Sequence, residues 1–402
     1  MNNELRIVIP ALNEEESIKS IVERCIDAKS SIITNTFIDT VEITVVSDGS
    51  TDNTVPFAKE YAEHIKIIIF EKNKGYGAAI KEGWRQSDAK YLSFLDADGT
   101  CNPLFFIELA KLMEKENADI VLGSRLNENS EMPAIRRFGN TIFAILLSIF
   151  ASSKIKDTAS GMRIVKRSAL DRIMPLPDGL HFTPAMSARA VLSSDLNIAE
   201  IDMPYKEREG ESKLSVVKDG IRFLKIILGT AFLYRPNIMF NLFALFTLLV
   251  GILLMIEPTV FYLGHSYVEE WMIYRFILSS LAIMISALSL ISSGISERIV
   301  NVTLFDKNDE KEYSIVYRLL ASKLIWGVIV VLIIGGLSLV YNSVLERLSL
   351  GETTEHWSRY IGMLVLLALS GVLLTFKVIN FFLMKVADRL SYVKKEEKEV
   401  FA

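Results

Sequence analysis

Cysteine is scarce in this chain. Only two of its 402 residues are cysteines, Cys25 and Cys101, far apart and without C-x-x-C spacing, so neither a disulfide framework nor a zinc site is expected. The four histidines are scattered and read as ordinary surface or core residues. A basic excess is also lacking. The formal net charge is −4, the wrong sign for a nucleic-acid-binding protein. No internal repeat and no low-complexity tract occurs. The chain opens MNNELR and runs directly into an apolar strand-type segment, so no cleavable leader is expected. Apolar residues, by contrast, make up 50% of the chain, unevenly spread. As far as about residue 235 the pattern suits a soluble α/β domain, and beyond it come long uncharged runs, enough for two or more domains.

The first half is organised around residues 91–103, YLSFLDADGTCNP. A buried strand (91–95) runs straight into two carboxylates, Asp96 and Asp98. Gly99 permits a sharp turn, and Asn102-Pro103 opens a helix. Carboxylates beyond the carboxyl end of a strand in an α/β sheet lie where ligands bind. Two of them one residue apart can share a hard divalent cation, Mg²⁺ or Mn²⁺, usually together with substrate phosphates. A lone D-x-D is more often a solvated turn, so its neighbours decide its meaning.

Further strand-type runs occupy 5–9, 41–46, 65–70 and 118–122. Each ends in polar or glycine-rich turn chemistry. After 5–9, Pro10-Ala11-Leu12 leads to Asn13, which with Glu16 predicts a capping-box helix start. Strands alternating with helices imply a largely parallel sheet whose polar turns gather on one rim.

Taken together, IVIPALNEEESI (7–18), VVSDGSTDNT (45–54), NKGYGAAIKEG (73–83), FLDADG (94–99), GSR (123–125) and DTASGMR (157–163) resemble the family-2 glycosyltransferases, in the branch of dolichyl-phosphate mannosyltransferases and polyprenyl-phosphate glycosyltransferases. The resemblance spans about residues 5–235. It implies a GT-A, Rossmann-like, mostly parallel sheet domain. It also implies that Pro10, Ala11 and Glu14 line the nucleoside pocket with Asp48, that Lys74 and Gly75 approach base and ribose, and that Asp96 and Asp98 serve ribose, diphosphate and metal. Ser47 stands where the family often has a second Asp, and Thr100 where many relatives carry Gln.

Residues 141–151 form an apolar run too short to span a bilayer. Flanked by Arg136-Arg137 and by Lys154 and Lys156, it reads either as a core helix or as an interfacial one facing anionic lipid. Asp157 and Arg163 flank a Ser-Gly turn. They read either as a sugar-positioning acid and a phosphate-neutralising guanidinium or as an ion pair across the turn. In 205–214, YKEREGESKL, the resemblance assigns Arg208, Ser212 and Lys213 to an acceptor phosphate. Lys218, Arg222 and Lys225 recur at helical spacing opposite Ile221, Leu224 and Leu228, a basic amphipathic helix leading to the membrane.

Runs at 238–256, 276–295, 324–344 and 360–384 are each long enough to cross a bilayer, and only the last holds a charge, Lys377. The expected organisation is a catalytic domain (1–215), an interfacial helix (216–236), a four-helix transmembrane region (237–386) and a tail (387–402). Positive charge concentrates in 296–323 (Arg298, Lys307, Lys311, Arg318, Lys323) and after 384 (Lys385, Arg389, Lys394, Lys395, Lys398). The loops 257–275 (Arg275) and 345–359 (Arg347, Arg359) carry less. The catalytic domain and the C-terminus are therefore expected on the cytoplasmic side.

The expected chemistry is metal-dependent transfer of one sugar from GDP-mannose or a UDP-hexose to a polyprenyl or dolichyl phosphate, with inversion implied by the resemblance. Arg125 and Arg163 would stabilise phosphate charge, and Arg136, Arg137, Arg208 and Lys213 would receive the acceptor phosphate. Three other readings compete. A processive synthase would carry Q-x-x-R-W, but the only Gln is Gln86 and no R-W occurs. A glycolipid synthase acting on a diacylglycerol-type hydroxyl would need a base, for which Asp157 is available. A non-catalytic sugar-nucleotide-binding scaffold would not need the intact acidic set.

Overall fold

The computed structural model describes residues 2–128, 130–151, 154–193, 195–205, 216–305, 313–350 and 356–400. The chain divides into two compact units, Met1–Tyr234 and Arg235–Ala402.

The first unit is built on strands β1 (Glu4–Ala11), β2 (Thr40–Asp48), β3 (Lys66–Phe70), β4 (Tyr91–Phe94), β5 (Ile120–Ser124), β6 (Arg163–Lys166) and β7 (Ile198–Asp202). They form one seven-stranded sheet in the order β3-β2-β1-β4-β6-β5-β7. Every pairing is parallel except those of β6, which runs antiparallel between β4 and β5. β6 and β7 were not among the expected strands. β6 is four residues, RIVK, flanked by charge, and β7 is the half-polar IAEID, so neither presents an apolar run.

Both faces of the sheet are covered, so side chains alternate between two cores. Ile7 and Ile9 of β1 pack with Leu5, Ile43 and Val45 on one face, while Val8 packs with Leu92 and Phe94 on the other. Burial on both sides explains why the central strands read as nearly unbroken apolar runs. The helices of this unit are α1 (Ile18–Asn35), α2 (Thr54–Lys59), α3 (Tyr76–Arg85), α4 (Phe106–Lys115), α5 (Ala134–Phe150), α6 (Leu170–Ile173), α7 (Phe182–Leu192) and α8 (Val216–Tyr234). α1 buries Ile18, Ile21, Val22, Cys25, Ala28 and Ile32, a stripe at helical spacing. α3 turns Ala79, Ile80 and Trp84 inward, and the Trp84 indole donates to the Ser93 carbonyl at 3.1 Å.

Two helix starts differ in outcome. Asn102 caps as expected, its side chain accepting from the Leu104 amide at 3.1 Å ahead of a 3₁₀ turn and α4. Asn13 does not open a helix. It adopts φ +49°, its carboxamide oxygen accepts from the Thr51 amide at 2.8 Å, and α1 begins later, at Ile18. Long-range pairing with the turn after β2 thus wins over the local capping box.

The second unit contains α9 (Pro236–His265), α10 (Ile273–Thr303), α11 (Ile315–Ala321), α12 (Leu324–Leu350) and α13 (Trp357–Val400). Among the described residues four helices are long and apolar enough to cross a membrane, and each expected run lies inside one of them. α9 and α10 are joined by serine hydroxyls on carbonyls, Ser279 to Gly251 at 3.0 Å and Ser286 to Ala244 at 2.8 Å. The Lys377 ammonium donates to the Ala321 and Ser322 carbonyls at 2.7 Å each, satisfying the C-terminal end of α11.

Candidate active site

In a parallel pair the carboxyl ends of neighbouring strands lie side by side. Ala11 is opposite Ser47 and Val8 opposite Phe94, which brings Pro10, Ala11, Asp48, Asp96 and Asp98 to one rim. They line a cavity of about 510 Å³ in the first unit. Its first end is formed by Pro10, Ala11, Leu12, Glu14, Asp48, Asn73 and Gly75. Asp48 holds the following loop, its two oxygens accepting from the Lys74 amide at 2.7 Å and the Gly75 amide at 2.9 Å. Gly75 takes φ +109°, and a Cβ there would lie 2.4 Å from the Asp178 carbonyl. Lys74 contributes this backbone contact, whereas its ammonium lies over the Phe70 ring, 4.3 Å from the centroid.

Asp96 and Asp98 also line the cavity. The Tyr76 hydroxyl donates to Asp96 Oδ1 at 2.5 Å. Burial, then the nearby Asp96 charge, keeps that phenol protonated far above neutral pH. Behind Asp96 is Gly161, where a Cβ would fall 2.0 Å from Oδ2. Asp98 Oδ1 accepts from the Thr100 hydroxyl at 2.7 Å and its amide at 3.2 Å. Arg24 of α1 ties the turn down from outside, donating to the Gly99 and Cys101 carbonyls at 3.3 and 2.8 Å. Among the described residues no three His, Cys, Asp or Glu side chains are grouped to hold a metal. Two carboxylates in a cavity fit a hard cation that completes its shell with substrate phosphates and water, not one held in an all-protein cage.

Beside them is a buried network. Asp157 is fully buried and accepts from Arg125 Nε at 2.7 Å, Arg125 Nη2 at 2.9 Å and the Arg125 amide at 3.0 Å. Asn140 of α5 adds a further donor at 2.5 Å, and its own oxygen accepts from Thr158 at 2.8 Å. Desolvation works to raise the Asp157 pKa, but the Arg125 charge and these donors outweigh it and bring it down to about 2. Glu200 anchors the same loop by accepting from the Lys156 and Asp157 amides at 2.7 and 2.8 Å.

The far wall of the cavity comes from α5 and α8: Ile135, Arg136, Gly139 and Phe143 from one, Asp219, Arg222 and Phe223 from the other. The Phe143 and Phe223 rings meet edge-on at 6.0 Å, and Arg222 pairs with Asp219 at 3.0 Å. α5 also exposes Ile135, Phe138, Ile142, Ile145 and Ile149, positions recurring every three or four residues along the helix, with Ile135 at the edge of the cavity. A core helix would bury that stripe. α5 instead buries Asn140, Leu147 and Phe150.

Residues 6–174 match the family described as Glycosyl transferase family 2. A dolichyl-phosphate β-glucosyltransferase of Dictyostelium discoideum is 30% identical over 58% of this chain and 76% of its own length. The chain belongs to glycosyl transferase family 2. A dolichyl-phosphate hexose transferase of Haloferax volcanii is 29% identical over 56% of this glycosyltransferase chain and 92% of its own length. A low-salt glycan biosynthesis hexosyltransferase of the same organism is 32% identical, and the match spans about half of that relative, 54%.

For this family-2 glycosyltransferase the structure brings Pro10, Ala11, Glu14, Asp48, Gly75, Asp96, Asp98, Arg125 and Arg136 to one cavity. Arg163, expected to stabilise phosphate charge, is not among the lining residues. It is wholly buried and donates to the Ser160 and Thr158 carbonyls at 3.0 and 3.1 Å, bracing the loop from behind, while its Nη1 has no hydrogen-bond partner. Nor does it pair with Asp157 across the turn, because Asp157 is taken by Arg125. Arg137 also turns away, donating to the Ser130 carbonyl at 3.1 Å. Arg208, Ser212 and Lys213 lie outside the described residues. Tyr76, Asn140 and Arg222 escaped the motif reading. The basic periodicity of 218–225 carried a signal for Arg222, and Tyr76 stands within the 73–83 stretch without a role of its own, but nothing in the sequence marks Asn140.

Proposed function

We propose that this glycosyltransferase moves a single sugar from a nucleotide sugar, GDP-mannose or a UDP-hexose, to a polyprenyl phosphate at the cytoplasmic face of a membrane. The supporting observation is the continuity of the cavity. It runs from the carboxylate rim to a wall that combines Ile135, Phe143 and Phe223 with Arg136 and Arg222. Polar, anion-binding chemistry at one end and an apolar wall with cations at the other suit a nucleoside diphosphate and a lipid phosphate meeting between them. The relatives named for dolichyl phosphate support the same acceptor class.

Asp96 and Asp98 would hold Mg²⁺ or Mn²⁺, which when bound offsets the charge of the departing diphosphate. Asp48 keeps the 73–75 loop in place for the nucleoside. Arg125, locked on Asp157, presents a fixed positive dipole to the cavity and is held in its charged form by that partner. Arg136 and Arg222 would steer the acceptor phosphate. Its oxygen is already anionic at neutral pH, so attack on the anomeric carbon, opposite the leaving diphosphate and with inversion, requires no general base. That argument also disfavours a hydroxyl acceptor activated by Asp157. The carboxyl is fully buried, does not line the cavity and, with a pKa of about 2, is a poor base. The four apolar helices among the described residues and the Lys/Arg-rich 296–323 stretch and C-terminal segment support a membrane-anchored enzyme with its catalytic unit on the cytoplasmic side.

The test is a labelled transfer assay. The full chain in detergent is given UDP- and GDP-sugars, Mn²⁺ or Mg²⁺, and either polyprenyl phosphate or diacylglycerol. Metal-dependent label in an acid-labile polyprenyl-phosphate sugar, lost in Asp98→Ala, is the expected result. Label confined to diacylglycerol would replace the proposal with a glycolipid synthase, and no transfer despite nucleotide binding would replace it with the binding scaffold.

A further inference from the structure

Asp96 is held on two sides. Tyr76 donates to Oδ1 at 2.5 Å, and Gly161 leaves no room for a Cβ beside Oδ2, which that atom would approach to 2.0 Å. Tyr76 is itself immobilised. Its ring meets Phe94 and Phe182 edge-on, each at 6.4 Å. It is the first residue of α3, and the backbone is pinned on both sides of it. Asp48 accepts from the Lys74 and Gly75 amides, and the Asp178 carbonyl accepts from the Ala78 amide at 3.1 Å. A continuous chain of contacts therefore runs from Asp48, through the 74–76 backbone and the Tyr76 hydroxyl, to Asp96, and both carboxylates line the cavity.

We infer that Tyr76 is a positioning residue: its hydroxyl sets the orientation of the Asp96 carboxylate and couples the Asp48 end of the site to the cation-and-diphosphate end. The inference rests on the proposed reading of Asp96 and Asp98 as the cation-binding pair. A carboxylate joined to its backbone by two rotatable bonds samples several orientations when free. Bonded to a phenol that is wedged between two rings, it presents one oxygen to Tyr76 and turns the other in a fixed direction. The ring and the hydroxyl have separable tasks. The ring fills space between Phe94 and Phe182, and the hydroxyl does nothing for that packing.

Tyr76→Phe separates them, since it keeps the ring and removes one oxygen. The experiment is calorimetric titration of UDP and GDP, with and without Mn²⁺, into the full chain in detergent, with a thermal melt of each variant. For the unsubstituted chain, Mn²⁺-dependent tightening of nucleotide binding that Asp98→Ala abolishes is the premise. If it is absent, the cation-site reading falls and the inference with it. With the premise met, Tyr76→Phe is expected to weaken Mn²⁺-dependent binding about tenfold, the scale of one hydrogen bond to a charged group. Metal-free binding and the melt should stay close to those of the unsubstituted chain. In Asp96→Ala, adding Tyr76→Phe should cost nothing further, because its target is gone. Unchanged Mn²⁺-dependent binding in Tyr76→Phe overturns the inference while leaving the cation site standing. So does a variant that fails to fold, which would mean the hydroxyl serves packing and not orientation.

Discussion

Replacing Asp157 by Asn tests whether the buried Arg125–Asp157 pair holds the loop between β5 and β6. The carboxylate accepts five hydrogen bonds: three from Arg125, one from Asn140 and one from the Ala159 amide at 3.1 Å. An asparagine of the same shape keeps one acceptor oxygen and turns an NH₂ group toward donors. It also leaves the Arg125 guanidinium, 13% exposed, without its counter-charge. Removing one partner of a buried ion pair typically costs about 3–5 kcal/mol. A loss of about 3 kcal/mol corresponds to opening roughly a hundredfold more often, at about 1.4 kcal/mol per factor of ten. Because the chain has two units, a single melting temperature would blur the effect. Amide hydrogen exchange read peptide by peptide on the full chain avoids that. Peptides covering β5, β6 and the first turns of α5 are expected to exchange about a hundredfold faster in Asp157→Asn, while those of β2, β3 and α10 stay unchanged. Equal protection in β5 and β6 of the two proteins would refute the reasoning, because the pair would then contribute nothing to the loop's stability.

Gly161→Ala places a Cβ 2.0 Å from Asp96 Oδ2, so the carboxylate must move, and metal-dependent transfer should fall about a hundredfold with little change in exchange protection of the sheet. Arg136→Ala and Arg222→Ala should each raise the KM for polyprenyl phosphate about tenfold and leave the KM for the nucleotide sugar nearly unchanged in steady-state kinetics. Acid should act through Asp157, whose folded pKa is lowered from 3.8 to about 2. Its contribution, roughly 2 kcal/mol, is therefore fully present above about pH 4 and lost as the pH falls toward 2, which exchange of β5 peptides across that window would read.

The strand ends that build the rim could be read from local chemistry. An apolar run that stops at Pro10, at Asp48-Gly49 or at Asp96 announces both a strand and the polar turn after it, because burial on two faces and exposure at one end leave opposite signatures in adjacent residues. β6 could not be read that way. Its four residues gain their place by pairing with β4 on one side and β5 on the other, and a pairing partner leaves no mark in a strand's own composition. The partner of Asp157 was hidden for the same reason. Arg163, six residues on, was the near choice along the chain, yet Arg125 reaches the carboxylate from the end of β5. Asn13 shows local preference overruled outright, its side chain drawn to the turn after β2.

By itself the sequence determined the parallel α/β unit, the acidic turn at 96–98, the four apolar runs and the family, since each is written in short stretches whose chemistry depends on near neighbours. Tertiary structure alone decided which cation answers Asp157, that Arg163 supports the loop from within, that Tyr76 grips Asp96, and that α5 and α8 close one cavity. Most of those outcomes depend on side chains twenty or more residues apart arriving in contact with one another. Only the folded sheet, with its order and register, sets such distances.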